Sequence, residues 1–210
     1  MMDISLRILE SESEISKRIL EALLPDVSRY FNKVFIQCES KIVQIVQQAI
    51  VSHPTYNSLL SGDLLGEFGL DGAGNRLSEI LSFWEKLTVK YEKPKVQRNQ
   101  IFGSFSLSMI QSDYSDVLGT GASVVTTDHG DQLEWLKWLL LFGDKTIIRN
   151  YHVELGPNIR SRSGNGIMVV GGRWHVPTAY AGTVKSNWIT KAIDSSGEEI
   201  MNLMKQALRS

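Results

Sequence analysis

Between Ser13 and Val51 the apolar residues recur every three or four positions: Ile15, Ile19, Leu20, Leu23, Val27, Tyr30, Phe31, Val34, Phe35, Cys38, Ile42, Ile45, Val46, Ala49 and Ile50. At 3.6 residues per turn this spacing gathers them on one stripe, so the segment is expected to be a single long amphipathic helix. A stripe of that length exposes too much apolar area in water, and therefore needs a sheet or another subunit against it. Pro25 lies inside the pattern, lacks an N–H and clashes with the preceding turn, which predicts a break near Leu24 or a bent rod. His53-Pro54 ends the helix, because the residue before proline is pushed toward extended geometry. Cys38 falls on the stripe as a buried helix residue. As the only cysteine it excludes an internal disulfide and a cysteine-rich metal site, and it fits a reducing compartment.

Beyond the helix the pattern shortens. SLLSGDLLGEFGLDGAGNRL carries glycines at 62, 66, 69, 72 and 74 that suit turns and close packing in a short helix or strand. Leu77–Trp84 is expected as a short helix. LTVKYEKPKV and IFGSFSLSMI alternate with period two and are expected as strands, joined by a solvated loop from Glu92 to Gln100 whose Lys93, Lys95 and Arg98 make a basic tip. LEWLKWLLLF is expected as a helix, with Asp131 capping its start and Gly143 ending it in the left-handed conformation. Its Trp135 and Trp138 share a face as core or interface anchors. KTIIRNYHVEL alternates as a strand, GIMVV and RWHVP are expected as the arms of a hairpin turning at Gly171-Gly172, and a last helix is expected from Ser195 or Ser196. The fold class that results is α+β: a long N-terminal helix packed on a small antiparallel sheet, a C-terminal helix and a protruding glycine/arginine-rich hairpin. Residues 1–210 are expected as one domain, with residues 1–12 a flexible extension and residues 156–187 a projecting arm.

Chemistry is sparse in this sequence. The balance of 22 basic to 23 acidic residues provides no global field toward DNA or an anionic membrane. The N-terminal residues lack the apolar core of a signal peptide and no run reaches membrane-spanning length, so a soluble, unexported chain without membrane contact is expected. DGAGN lacks the Lys-Ser/Thr pair and the order of a phosphate loop, and Asp63, Glu67 and Asp71 lack the alternating ligands of a calcium loop. No serine sits in a nucleophile elbow and no histidines have helical metal spacing. His152, Glu154 and His175 are the best catalytic or metal trio, provided their strands pair. The expectation is no enzyme, no cofactor and no metal.

From Lys145 to Arg173 the charges are Lys145, Arg149, Arg160, Arg162 and Arg173 against Glu154 alone. A basic, glycine-rich segment of this kind is expected to leave backbone uncovered and to take its final order from neighbouring chains. Arginine suits such a place, since its planar fork pairs bidentately with carboxylates or phosphates.

Several strings in order, HPTYNSLLSGDLLGEFGL, SDYSDVLGTGAS, LEWLKWLLLFGDKTIIRNYHVELG, SRSGNGIMV and GRWHVPTAYAGTVKSNWITKAI, resemble virion structural proteins of tailed bacteriophages, in broader form the neck and tail-completion family. The string-level likeness spans about residues 50–208, and the long first helix is alike in pattern. Tyr151-His152-Val153-Glu154-Leu155-Gly156 resembles the family's aromatic-x-x-Glu-x-Gly strand end, and Trp188–Ile193 its approach to the last helix. The Gly171-Gly172 insertion with Trp174-His175-Val176-Pro177 departs from the pattern. The resemblance implies a homo-oligomeric ring at the head-tail junction. The ring would connect the tail to the portal-side complex, contact other neck, connector or tail proteins, and surround a channel through which genomic DNA only passes. It implies a virion location reached from the host cytoplasm. Arg149, Arg160, Arg162, Arg173, Trp174 and Trp188 are the expected interface anchors, Trp and Arg being the residues that most often dominate such contacts. The alternative is a baseplate or tail-fibre module that binds a neighbouring protein or a host surface ligand through Trp174 and His175.

Overall fold

The computed structural model describes residues 10–84, 88–108, 114–127 and 130–209. It is α+β, with a long first helix, small antiparallel sheets and a C-terminal helix. The flexible extension expected over residues 1–12 lies mostly outside the described residues, as do His129 and the end of the IFGSFSLSMI segment. Contacts divide the chain into two compact units. One comprises residues 1–41, 89–108 and 202–210, and the other residues 42–88 and 109–201.

Helix α1 (Glu12–Ser52) runs unbroken through Pro25. Its start is a reciprocal capping box: the Ser11 N–H donates to Glu14 Oε2 (2.8 Å) and the Glu14 N–H to the Ser11 hydroxyl (3.3 Å). In the first unit Phe35 stacks on Tyr91 with ring centres 5.5 Å apart, and Tyr91 donates to the Ser28 carbonyl. Tyr30 reaches the Leu208 carbonyl at 2.8 Å. Tyr91 belongs to β1 (Thr88–Gln97), which pairs with β2 (Gln100–Ser108). The loop expected from Glu92 to Gln100 is therefore two residues, Arg98 and Asn99, both at positive φ as the tightest hairpin turns require. Pro94 stays within β1 because a two-stranded sheet has an outer edge on which no N–H is needed.

In the second unit His53 caps α2 (Pro54–Ser61), its imidazole accepting from the Thr55 N–H. Burial lowers the affinity of that ring for a proton, with Lys191 acting in the same sense. Helices α3 (Asp63–Phe68) and α4 (Ala73–Trp84) follow, separated by left-handed Gly69 and Gly72. After α5 (Ser115–Leu118) and a short 3-10 turn, β3 (Val125–Thr126) pairs antiparallel with β4 (Gln132–Leu133). That pairing removes Leu133 from the expected helix. Helix α6 (Trp135–Leu141) starts at Glu134, and Asp131 does not cap it. Gly143 ends α6 at φ 65°, as expected. Trp135 is fully buried and donates to the Ala122 carbonyl, whereas Trp138 is half-buried against Phe142.

Two elements depart further from expectation. Gly171-Gly172 is not a hairpin turn: β5 (Thr146–Leu155) and β6 (Gly166–His175) form one ribbon turning between Gly156 and Asn165, and the two glycines sit inside β6 at a register shift. Their φ angles of 121° and 69°, with Asn150 at 64° on the facing strand, bend the ladder there. Helix α7 (Trp188–Ala207) begins seven or eight residues before the expected serines. Asn187 starts it, its side-chain oxygen accepting from the N–H groups of Ile189 and Thr190. Ser195 and Ser196 instead turn their hydroxyls back to the carbonyls of Ala192 and Ile193, a mid-helix use of serine.

Candidate assembly surface

The β5–β6 ribbon is held to α3 at its root. Gly66 and Gly166 approach so closely that a Cβ on Gly66 would lie 2.5 Å from the Asn165 carbonyl oxygen, and one on Gly166 3.0 Å from the Gly66 oxygen. Only glycine permits this crossing of backbones. At the next residue of α3, Glu67 Oε2 accepts the indole N–H of Trp174 at 2.8 Å, and Trp174 packs on Phe68, which in turn meets Trp135. Burial pushes the Glu67 carboxyl above the usual carboxylate range. The Trp174 hydrogen bond and nearby His175 oppose that shift, and Asp63 adds to it.

The loop between the strands is ordered by its own chain, contrary to the expectation that it waits for neighbours. Asn158 turns the chain by accepting the Arg160 N–H on its side chain, and the Ser161 hydroxyl accepts from Gly166. Arg162 donates to the carbonyls of Gly69 and Thr126. Ile159 stands at the tip with its side chain wholly in solvent (103 % exposed). Residues 176–187 do not project either: Val176, Gly182 and Asn187 are buried, and a Cβ on Gly182 would meet the Leu139 carbonyl oxygen at 2.5 Å. Asn187 completes its hydrogen bonds by donating to the Tyr114 hydroxyl and the Thr183 carbonyl.

What stays open to water is one face of the ribbon between the contacts that Gly166 and Trp174 make with α3. Tyr151 pairs with Val170 and Val153 with Met168, and cross-strand partners share a face. Val170 is 74 % exposed there, and Tyr151, Met168 and Leu155 are each more than two-fifths exposed. Farther along, Arg149 and Arg173 face each other across the strands, both exposed.

The six expected anchors thus separate. Arg149, Arg160 and Arg173 are exposed and make no ion pair among the described residues. Arg162 is exposed at the surface but engaged with its own chain. Trp174 (4 % exposed) and Trp188 are core residues and have no face to offer a partner. The trio of His152, Glu154 and His175 does not converge. His152 Nδ1 lies 2.9 Å from the Gly171 carbonyl, to which it can only donate, and its Nε2 is 3.5 Å from Glu154. His175 pairs with Thr146 at the other end of the ribbon. Among the described residues no group of three or more His, Cys, Asp or Glu side chains is placed to hold a metal ion, and no helix is long and apolar enough to cross a membrane.

Sequence reasoning missed Ile159, Val170 and Asn187. The first two carry no periodic signal at a turn and beside a bulge. Asn187 directly precedes an apolar helical run, which is the position of a helix cap. No protein-family model, no curated protein and no solved structure matches this chain.

Proposed function

We propose that the chain is a structural subunit of a tailed-phage virion. In this reading copies form a ring at the head-tail junction, as neck or tail-completion protein, connecting the tail to the portal-side complex around the DNA channel. The observation that carries the reading is the β5–β6 ribbon, closely packed on α3 and with an exposed apolar face of Tyr151, Met168 and Val170 beside two arginines that make no ion pair among the described residues. An apolar surface of this kind is what an assembly interface uses, and a ring needs unlike patches that meet head to tail. The near-neutral balance of charge fits a channel wall that lets DNA pass without holding it. The alternative of a ligand-binding baseplate or fibre module relied on an open cleft at Trp174 and His175. Trp174 is buried on Phe68 and Glu67 instead, so this alternative receives no support from the geometry.

The test is localisation. Virions carrying the chain with a C-terminal label, imaged by cryo-electron microscopy, are expected to show a ring of extra density between capsid and tail. Density at the baseplate or on fibres, or none in the virion, would overturn the proposal.

A further inference from the structure

Two patches of the second unit bring like charges together without an ion pair among the described residues. On the ribbon, Arg149 and Arg173 are directly opposite one another, an arrangement that repels within a sheet. On α7, Asp194 and Glu198 are four residues apart on one face, with Glu199 beside them, all exposed. Like charges at this spacing repel within a helix. Among the described residues none of these five side chains has an ion-pair partner. Each patch also carries an exposed apolar neighbour. Val170 lies on the next paired rung of the ribbon, and Met201, 55 % exposed, continues the helix stripe after Asp194 and Glu198.

We infer that the arginine rung of the ribbon in one copy docks on the Asp194–Glu198–Met201 stripe of α7 in a second copy. The contact joins two different surfaces, so each copy keeps one of each free for the next, which is the head-to-tail arrangement that closes rings. Arginine forks on the rung pair with the two carboxylates, relieving both repulsions at once, while Val170 and Met201 provide an apolar margin. The inference rests on the ring reading for the identity of the partner and names the surfaces by which the ring is made.

Charge reversal on the full chain tests it, read by sedimentation velocity over a range of concentration and salt, with circular dichroism to confirm folding. The wild type is expected to self-associate, more weakly as salt rises. R149E/R173E and D194K/E198K are each expected to weaken association at least tenfold. The variant carrying all four reversals is expected to recover it, since its patches are complementary again. If the single-patch variants associate like the wild type, or the fourfold variant stays as weak as they are, the docking inference is overturned while a ring built on other surfaces stands. A wild type that remains monomeric at every concentration overturns the docking and the homo-oligomeric ring together.

Discussion

From Val34 onward α1 buries a residue at every fourth position, Val34, Cys38, Ile42, Val46 and Ile50, whereas between Glu12 and Lys33 no side chain is buried, although Ile19, Leu23 and Tyr30 stand on the same periodic pattern. Periodicity decides which face of a helix is apolar; whether that face is covered depends on what the rest of the chain brings to it. The later half meets its own chain. The earlier half leaves Ile19 and Leu23 about half exposed, a surface suited to a neighbouring subunit.

The sharpest way to break this comparison is truncation on each half. Ile50→Ala is expected to cost about 3 kcal/mol by the loss of a fully buried side chain. Ile19→Ala should change monomer stability by less than about 0.5 kcal/mol. Urea unfolding under dissociating conditions measures both, and equal losses would mean that the early half is covered within the monomer.

Helix starts give the same contrast at smaller amplitude. Asn187→Ala removes a buried cap and strands the Tyr114 hydroxyl, for an expected loss of about 2 kcal/mol. Ser11→Ala at the exposed start of α1 should cost about 0.5 kcal/mol. Thermal melts of the two variants compare them directly.

The smallest effect separates two carboxylates. Hydrogen bonds from Ser11 hold exposed Glu14 below the usual carboxylate range, so what it contributes is present above that range and is lost as pH falls. Glu67, raised by burial, has the opposite sign: its contribution is present at low pH and is lost as pH rises through its elevated value. Glu67→Gln, which keeps an oxygen for the Trp174 N–H, is therefore expected to gain stability relative to wild type between pH 4 and pH 7. A gain that shrinks over that interval would contradict the assignment.

Long-period features were legible in the sequence. The run of α1, the strand β5 and the left-handed stop at Gly143 follow from spacing and from glycine's freedom. Elements set by a distant partner were not. Leu133 looks helical until β3 pairs with it, and Gly171-Gly172 looks like a turn until β5 continues past it. Ser195 and Ser196 look like helix caps because serine serves caps and helix interiors with the same hydroxyl. At the candidate surface Arg149, Arg160 and Arg173, expected as interface anchors, are exposed, but local composition does not tell an interface tryptophan from a core one. Trp174 is buried because Gly66 lets β6 close on α3, a contact between residues about a hundred positions apart.

The central claim is that the exposed ribbon and the early half of α1 are completed by other copies of the chain. Native mass spectrometry of the purified protein, paired with negative-stain images of the same sample, tests it most directly. The account predicts a discrete species of several subunits that appears as a closed ring. A single mass of one chain at all concentrations, with compact particles and no ring, would contradict it.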